Sequence, residues 1–391
     1  MNWNDKTAAN VKAIKPSGIR KFFDIAVQVK GVLSLSIGEP DFAAPDKVLA
    51  AMKASLDAKE TSYTGNSGMM ELREAISHHF EQRYGVHYDP KDEILVTVGV
   101  SEGLAMALLA ITEPGDEVII PDPAYVAYPA SVELAGGTPV FVPTYPEHDF
   151  KLTVEALEKV ITPKTKAIVI GYPNNPTGTV MSAEELMPIA KFAEEHDLIV
   201  LSDEIYCELM YGDAKFTSFA KLPGMRERTV IFNGFSKAYA MTGMRLGYVC
   251  APREGLAPIL KLHQYAIMCA NTTAQVGGIT ALKECDDDVE AMRQEYDRRR
   301  KVIYKGLCDM GLPVFEPKGA FYIFPDIRCT GMTSAEFCEK LVQEEKVAVV
   351  PGTAFGDQGE GFVRISYAAS MDTIQEALKR MARFVAKYRK D

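Results

Sequence analysis

Between Glu93 and Cys250, short β-branched runs alternate with stretches of helical periodicity. The runs fall at Ile94–Val98, Val118–Pro121, Pro139–Val142, Ala167–Ile170, Leu198–Leu201 and Val230–Phe232, and each is apolar almost without interruption. Strands buried on one face alternate, whereas strands buried on both read as continuous runs. The pattern therefore predicts an α/β unit with a mostly parallel central sheet flanked by helices. Helical periodicity predicts Ser101–Thr112, Tyr125–Ala135 and Ser182–His196 as intervening helices. Functional residues of such sheets gather at the carboxyl ends of the strands.

The texture changes after about Asp286. Three aspartates, Asp286 to Asp288, favour a helix start, and Gly311 followed by Pro313 stops it. Val289, Met292, Tyr296, Ile303, Leu307 and Met310 form its apolar stripe, and the run Arg298-Arg299-Arg300-Lys301 is expected mainly on its wet faces. Short strands are expected at Phe321–Phe324, Val347–Val350 and Phe362–Ser366, then a closing helix from near Ser370 with Ile374, Leu378, Met381, Val385 and Tyr388 on one side. This is a smaller α+β C-terminal domain, with a hinge expected around 270–300 and no internal repeat.

Composition narrows the function. The 391 residues are 47% hydrophobic and 25% charged, enough for two packed cores. With 53 acidic against 43 basic residues the formal charge is -10, which disfavours nucleic acid as a partner. Seven cysteines without a Cys-x-x-Cys pair point to reduced thiols. Six histidines without His-Glu-x-x-His spacing give no reason to expect a metal site. Met1–Ala13 lacks the apolar core of a secretion signal, and no run approaches the ~20 apolar residues that span a bilayer. A cytoplasmic protein is expected.

Candidate chemistry centres on Asn233 to Tyr248, where Lys237, preceded by Ser236, and Arg245 stand on a glycine-punctuated apolar background. A desolvated lysine is a nucleophilic amine that forms a Schiff base with an aldehyde, and an arginine fork grips phosphate. Two cations facing water beside a glycine-rich turn are the plain structural alternative. Val96–Gly99 runs into Val100-Ser101-Glu102-Gly103, a strand feeding a helix through small residues, so helix-start amides and the Ser101 hydroxyl suit a phosphate, or Ser101 is an ordinary N-cap. Asp203, at a strand end, suits a protonated pyridine nitrogen or the cap of a following helix. Tyr206 and Asn175 suit hydrogen bonds to a phenolic ring oxygen, although Pro173–Gly178 is also simply a turn. Tyr125 suits a ring face or the core. Arg364, in a strand pattern, suits a carboxylate ligand or an internal salt bridge.

Gly38-Glu39-Pro40-Asp41-Phe42, Tyr63-Thr64, Tyr172-Pro-Asn-Asn-Pro-Thr-Gly178, Asp203-x-x-Tyr206, Ser236-Lys237 with Arg245, and Arg364 stand in one order. Nearly end to end the chain resembles the class I/II pyridoxal-phosphate aminotransferases of the aspartate aminotransferase fold (fold type I). The resemblance implies an N-terminal arm over 1–40 packing with the small domain, a large cofactor domain over 41–285, and a small domain over 286–391. It implies that Lys237 bonds to pyridoxal 5'-phosphate and later carries a proton at substrate Cα. Asp203 would pair with the ring nitrogen, and Asn175 and Tyr206 with the ring oxygen. Arg245, Ser101 and the Val100 and Ser101 amides would hold phosphate, Tyr125 would stack on the ring, and Arg364 with the Gly38 amide would grip the substrate carboxylate. Tyr63 would reach the phosphate of a neighbouring subunit in a homodimer, and Ile14–Arg20 would lie near substrate.

Specificity is less defined. Aspartate-selective bacterial relatives often carry lysine at the position of Ser101, and Ser17-Gly18-Ile19-Arg20 resembles members that take aromatic or larger amino acids, although Arg20 also suits an acidic side chain or a surface salt bridge. The expected reaction is amino transfer from an aromatic or broad range of L-amino acids, aspartate included, to a 2-oxoacid such as 2-oxoglutarate. A carbon–sulfur β-lyase or aminocyclopropane carboxylate synthase shares the fold and the cofactor residues. A non-catalytic sensor is the alternative of another class, but the first thirty or so residues are too few for a fused ~60-residue DNA-binding fold.

Overall fold

The computed structural model describes residues 1–14, 18, 29 and 31–390. The strands are β1 (Leu33–Ser34), β2 (Ile94–Thr97), β3 (Glu117–Asp122), β4 (Thr138–Pro143), β5 (Thr165–Ile170), β6 (Ile199–Asp203), β7 (Thr229–Gly234), β8 (Gly247–Cys250), β9 (Tyr322–Ile323), β10 (Val347–Ala348), β11 (Val350–Pro351) and β12 (Val363–Ser366). The helices that matter below are α1 (Asp46–Asp57), α2 (Met70–Tyr84), α3 (Gly99–Ile111), α4 (Ala127–Leu134), α5 (Ala183–Glu195), α6 (Arg253–Ala266), α7 (Thr272–Glu284), α8 (Asp286–Asp309), α9 (Ser334–Glu345) and α10 (Met371–Tyr388).

A seven-stranded sheet runs in the order β2-β8-β7-β6-β5-β3-β4. Its strands are buried on both faces through β2, β5 and β7, as the continuous apolar runs predict. One core on its flank joins Leu104, Ala107 and Leu108 of α3 to Leu256 and Ile259 of α6; another joins Leu186, Ile189 and Phe192 of α5 to Ile168 and Val200. The α5 start is the Ser182–Glu185 capping box, in which each side chain satisfies the other residue's backbone N–H.

One strand of this seven-stranded sheet is absent from the sequence reading. Gly247–Cys250 forms β8, antiparallel to both β2 and β7, inserted into an otherwise parallel sheet. Its run is only four residues long and follows a glycine-rich loop, so the pattern gives it little weight. Its polarity matters for the site. The parallel strands present their carboxyl ends to one edge, and β8 presents its amino end there, with Gly247 paired to Thr97 on one side and to Gly234 on the other.

The smaller C-terminal domain has a three-stranded sheet, β11-β12-β9, flanked by α8, α9 and α10. The single strand expected over Val347–Val350 is two short ones, because β10 turns away to pair with β1 while β11 pairs with β12. Parallel pairing of Leu33 with Val347 and Ser34 with Ala348 fastens the early chain to this domain. Among the described residues no helix is long and apolar enough to cross a membrane.

The long helix α8 buries the expected stripe, but the basic run is not wholly on its wet face. Arg299 and Arg300 are 6% and 3% exposed. They stand three and four residues after Tyr296 and before Ile303, so they fill the stripe's own gap. Their long stems cover apolar surface while the guanidinium ends reach carboxylates. Arg299 pairs with Asp41 at 2.7 Å and Glu295 at 2.8 Å; Arg300 pairs with Asp297 at 2.8 Å and Glu316 at 2.5 Å. Arg298, bonded to Glu295, conforms to the expectation. Breaking a buried pair leaves an uncompensated charge, and partial exposure of Asp41 discounts that cost, so Arg299→Ala should lower stability by about 2 kcal/mol. Urea unfolding checks this, with Arg298→Ala, expected to leave the midpoint unchanged, as the control.

Candidate active site

The edge where β2, β3, β5, β6 and β7 end and β8 begins opens into a cavity of about 510 Å³. Val100, Ser101, Tyr125, Asn175, Asp203, Tyr206, Ser236, Lys237, Arg245, Arg364 and Gly38 all line it. Tyr63 does not; it is 81% exposed on the surface of the same chain. Of the segment Ile14–Arg20, Ile14 and Gly18 alone are described, with Gly18 against Ala354; Arg20, Ser17 and Ile19 lie outside the described residues.

Lys237 follows the end of β7, and its Nζ donates to the Gly38 carbonyl at 2.6 Å, with the Phe321 and Tyr206 rings 5.7 and 5.8 Å away. Burial, then repulsion from Arg364 and Arg245, pushes the amine down to about 8, against the opposing pull of Glu39 and Asp203. An ammonium in this place loses its proton close to neutral pH, which is what a nucleophilic amine requires.

Asp203 is the last residue of β6 and is 8% exposed. No helix follows it, so it is not a helix cap. Its Oδ2 accepts from the Tyr128 hydroxyl at 2.7 Å and its Oδ1 from the Ile205 amide at 3.2 Å. Burial raises its pKa, while those two donors and Lys237 hold it down. It has no ion-pair partner among the described residues, so a cationic ligand atom in the cavity would meet an uncompensated carboxylate.

Two adjacent asparagines divide their work. Asn174 builds the turn after β5: its Oδ1 accepts from the Thr177 hydroxyl at 2.9 Å and its Nδ2 donates to the Gly171 carbonyl at 3.2 Å. Asn175 is thereby free to face the cavity, where its Oδ1 accepts from Arg364 Nη1 at 3.0 Å. The amide end of Asn175 keeps its donors for something else. Across the cavity Tyr206 shares a 2.8 Å hydrogen bond with the Tyr322 hydroxyl, and burial, reinforced by Tyr322, pushes its pKa well up.

Arg364 lies in β12 and is 2% exposed. Its Nη2 donates to the Ser36 carbonyl at 2.6 Å, its Nε has no partner among the described residues, and its guanidinium carbon stands 4.6 Å from the Tyr322 ring and 4.8 Å from the Phe355 ring. The internal salt bridge that a strand arginine invites is not made among the described residues. Burial lowers its pKa somewhat, and it remains a cation held by neutral acceptors between two aromatic faces.

Arg245 ends a 3-10 turn in the left-handed region, φ +51°, and its Nη1 donates to the Thr242 carbonyl at 3.0 Å. It lies directly over Gly99, where a Cβ would stand 2.6 Å from Arg245 Nη2; a Cβ on Gly247 would stand 2.8 Å from the Val100 nitrogen. The two glycines let a guanidinium and the first turn of α3 share one small space. The first amides of a helix lack intrahelical acceptors, so this corner is an anion cradle.

Tyr128 and Tyr322 are lining residues that the sequence reading missed, together with Glu39 and Thr242, which bond to each other at 3.3 Å. Tyr128 stands three residues beyond Tyr125, just inside the helix that follows, and the two rings meet edge to face at 5.6 Å. Tyr322 reads from sequence as one more apolar strand residue.

The cavity thus holds an amine whose pKa is lowered to about 8, an anion cradle, and a buried carboxylate and a buried guanidinium that have no ion-pair partner among the described residues. The family described as aminotransferase class I and II matches residues 30–381. The chain is 50% identical to the aspartate aminotransferase of Pyrococcus abyssi, over 94% of this chain and 95% of that one. It is 48% identical to aromatic-amino-acid aminotransferase 2 of Thermococcus litoralis, over 95% and 96%. The solved structure of the Thermus thermophilus aspartate aminotransferase with maleate superimposes with a TM-score of 0.92 at 38% identity, covering 96% of this chain and 99% of that one. That family depends on pyridoxal phosphate. The chain belongs to the class I and II aminotransferases, has the aspartate aminotransferase fold, and is an enzyme of the transaminase type.

Proposed function

We propose that the chain transfers the amino group of aromatic or a broad range of L-amino acids, aspartate among the candidates, to a 2-oxoacid such as 2-oxoglutarate, using pyridoxal 5'-phosphate. The observation that carries this reading is Arg364, a buried guanidinium with a bare Nε and no carboxylate partner among the described residues, in one cavity with the Lys237 amine, whose pKa is lowered to about 8. A pocket that recognises a carboxylate beside a reactive amine suits an α-amino acid.

The residues present fit the cofactor. The cradle of Gly99, Gly247 and Arg245 suits its phosphate, and unpaired Asp203 suits its protonated ring nitrogen. When bound, pyridoxal phosphate supplies an electron sink for the charge that develops at substrate Cα. Lys237 would hold it through Nζ and, once the substrate amine takes that place, move the proton from Cα. Asp203, kept in place by Tyr128, would keep the ring nitrogen charged. Tyr206 and the free amide of Asn175 would donate to the ring oxygen, and Tyr125 would lie on the ring face. Ser101, Ser236, Arg245 and the Val100 and Ser101 amides would hold phosphate. Arg364 would orient the substrate by its carboxylate, with the Gly38 amide as a second donor.

Beyond Lys237, Arg245 and Arg364 the described lining carries no further cation, while Arg20, the residue that suits a distal carboxylate, lies outside the described residues. The relatives' names point both ways, to aromatic amino acids and to aspartate. We read the enzyme as cytoplasmic, with an arm over 1–40, a large domain over 41–285 and a small domain over 286–391. Its homodimer would bring exposed Tyr63 to the phosphate of the other subunit.

A panel of amino donors with 2-oxoglutarate should yield glutamate fastest with aromatic donors; pyruvate, ammonia and a thiol from cystathionine without glutamate formation would overturn the reading. A lysine whose pKa has fallen loses its proton as pH rises through about 8, rather than near ~10.4. The rate at which apoenzyme captures pyridoxal phosphate should therefore climb to a plateau above about 8, read by stopped-flow absorbance. Lys237→Ala should abolish that absorbance change together with turnover. Arg364→Leu should retain the cofactor spectrum but lose about 10²–10³-fold in kcat/KM, the worth of a bidentate charged contact.

A further inference from the structure

Helix α3 has an unusual start. Its capping position is Val98, whose side chain accepts nothing, and the next residue, Gly99, sits at φ +76°. Val100 and Ser101 then line the cavity. A turn that carries an anion cradle therefore lacks the side-chain cap that ordinarily fixes a helix start.

Glu102 supplies the missing restraint from behind. Its side chain, 8% exposed, accepts the Val98 N–H at Oε2, 2.8 Å, and stands 2.9 Å from His263 Nδ1 at Oε1. Engaging the Val98 amide leaves those of Gly99, Val100 and Ser101, which have no acceptor within the helix, for a ligand.

His263 belongs to α6, where the buried residues are Leu256, Ile259 and His263. It is fully buried, and Nε2 has no partner among the described residues. A proton on Nδ1 suits this bonding, whereas a proton on Nε2 would be a buried donor without an acceptor among the described residues. A leucine at 263 would continue the stripe that packs α6 against α3 and would avoid burying a polar pair. The one hydrogen bond its ring makes among the described residues is to the carboxylate that restrains Val98.

We propose that Glu102 and His263 are positioning residues that hold the Val98–Ser101 turn, so that its amides, Ser101 and Arg245 form a rigid phosphate cradle. The inference rests on the cofactor reading above. The pair governs how tightly and how long a phosphate-bearing cofactor stays, and touches neither substrate nor the reacting atoms.

The test compares wild type, His263→Leu, His263→Asn and Glu102→Gln. Pyridoxal phosphate affinity and release are followed by absorbance, inorganic phosphate binding to apoenzyme by calorimetry, and apoenzyme Tm by scanning calorimetry. His263→Leu should weaken both ligands about tenfold, mainly through faster release, without lowering apoenzyme Tm. His263→Asn, which puts an amide donor where Nδ1 stands, should recover affinity to within about threefold of wild type. Glu102→Gln, which presents one good acceptor to two donors, should weaken both ligands about threefold and serves if His263→Leu does not fold. Wild-type affinity in the folded leucine variant, or in Glu102→Gln, would overturn the inference, as would an affinity loss that tracks Tm and is not rescued by asparagine. Wild-type apoenzyme that takes up no pyridoxal phosphate would overturn the cofactor reading itself, a result separate from any difference among variants.

Discussion

Lys237, Asp203 and Arg364 bring charge into one cavity, and each is held by neutral partners. The lysine has the Gly38 carbonyl, the aspartate has the Tyr128 hydroxyl and the Ile205 amide, and the arginine has the Ser36 carbonyl and Asn175. Cancelling these charges against one another in direct contact would be the cheaper arrangement for the folded chain. Keeping them apart costs stability and leaves each able to respond to a ligand charge. The depressed pKa of Lys237 and the raised pKa of Asp203 are two signs of that one constraint.

Separation of this kind needs a stiff frame, and the sheet provides it. Asp203 and Lys237 are fixed by the ends of neighbouring parallel strands, so their spacing is set by strand pairing. The reversed strand β8 brings Arg245 and Gly247 to the same edge from the opposite direction, beside the first turn of α3. Arg364 arrives from the other sheet, braced between Tyr322 and Phe355. Separate pieces of backbone thus hold charges that would otherwise collapse together.

Residues whose type announces their chemistry were legible in the sequence. Lys237, Arg245, Asp203, Asn175 and Arg364 stand where apolar runs end or where a cation interrupts one, and all five line the cavity. Tyr128 and Tyr322 were not legible, because a buried tyrosine has the same sequence signature whether it fills a core or orients a carboxylate. Arg299 and Arg300 were misread for a related reason: a stripe of period 3.6 was scored by apolar residues alone, although long cationic side chains can occupy it. β8 was missed because its short run follows a glycine-rich loop, and its direction depends on pairing that no local pattern encodes.

The pairing of β1 with β10 has a consequence for how the molecule comes into being. Ser36, whose carbonyl receives Arg364, lies 328 positions from it, and the Leu35 carbonyl accepts the Ser366 amide. The seven-stranded sheet is complete in the chain by Cys250, and can assemble while the ribosome is still adding the C-terminal domain. The short segment around Leu33 has no strand partner until Val347 emerges. The carbonyls that hold Lys237 and Arg364 belong to this segment or lie just beyond it, so the site's polar scaffold is among the last parts to lock. A nascent chain therefore contains every strand of the large sheet well before it contains every residue of the cavity, and the pairing of β1 with β10 has to await the C-terminal domain.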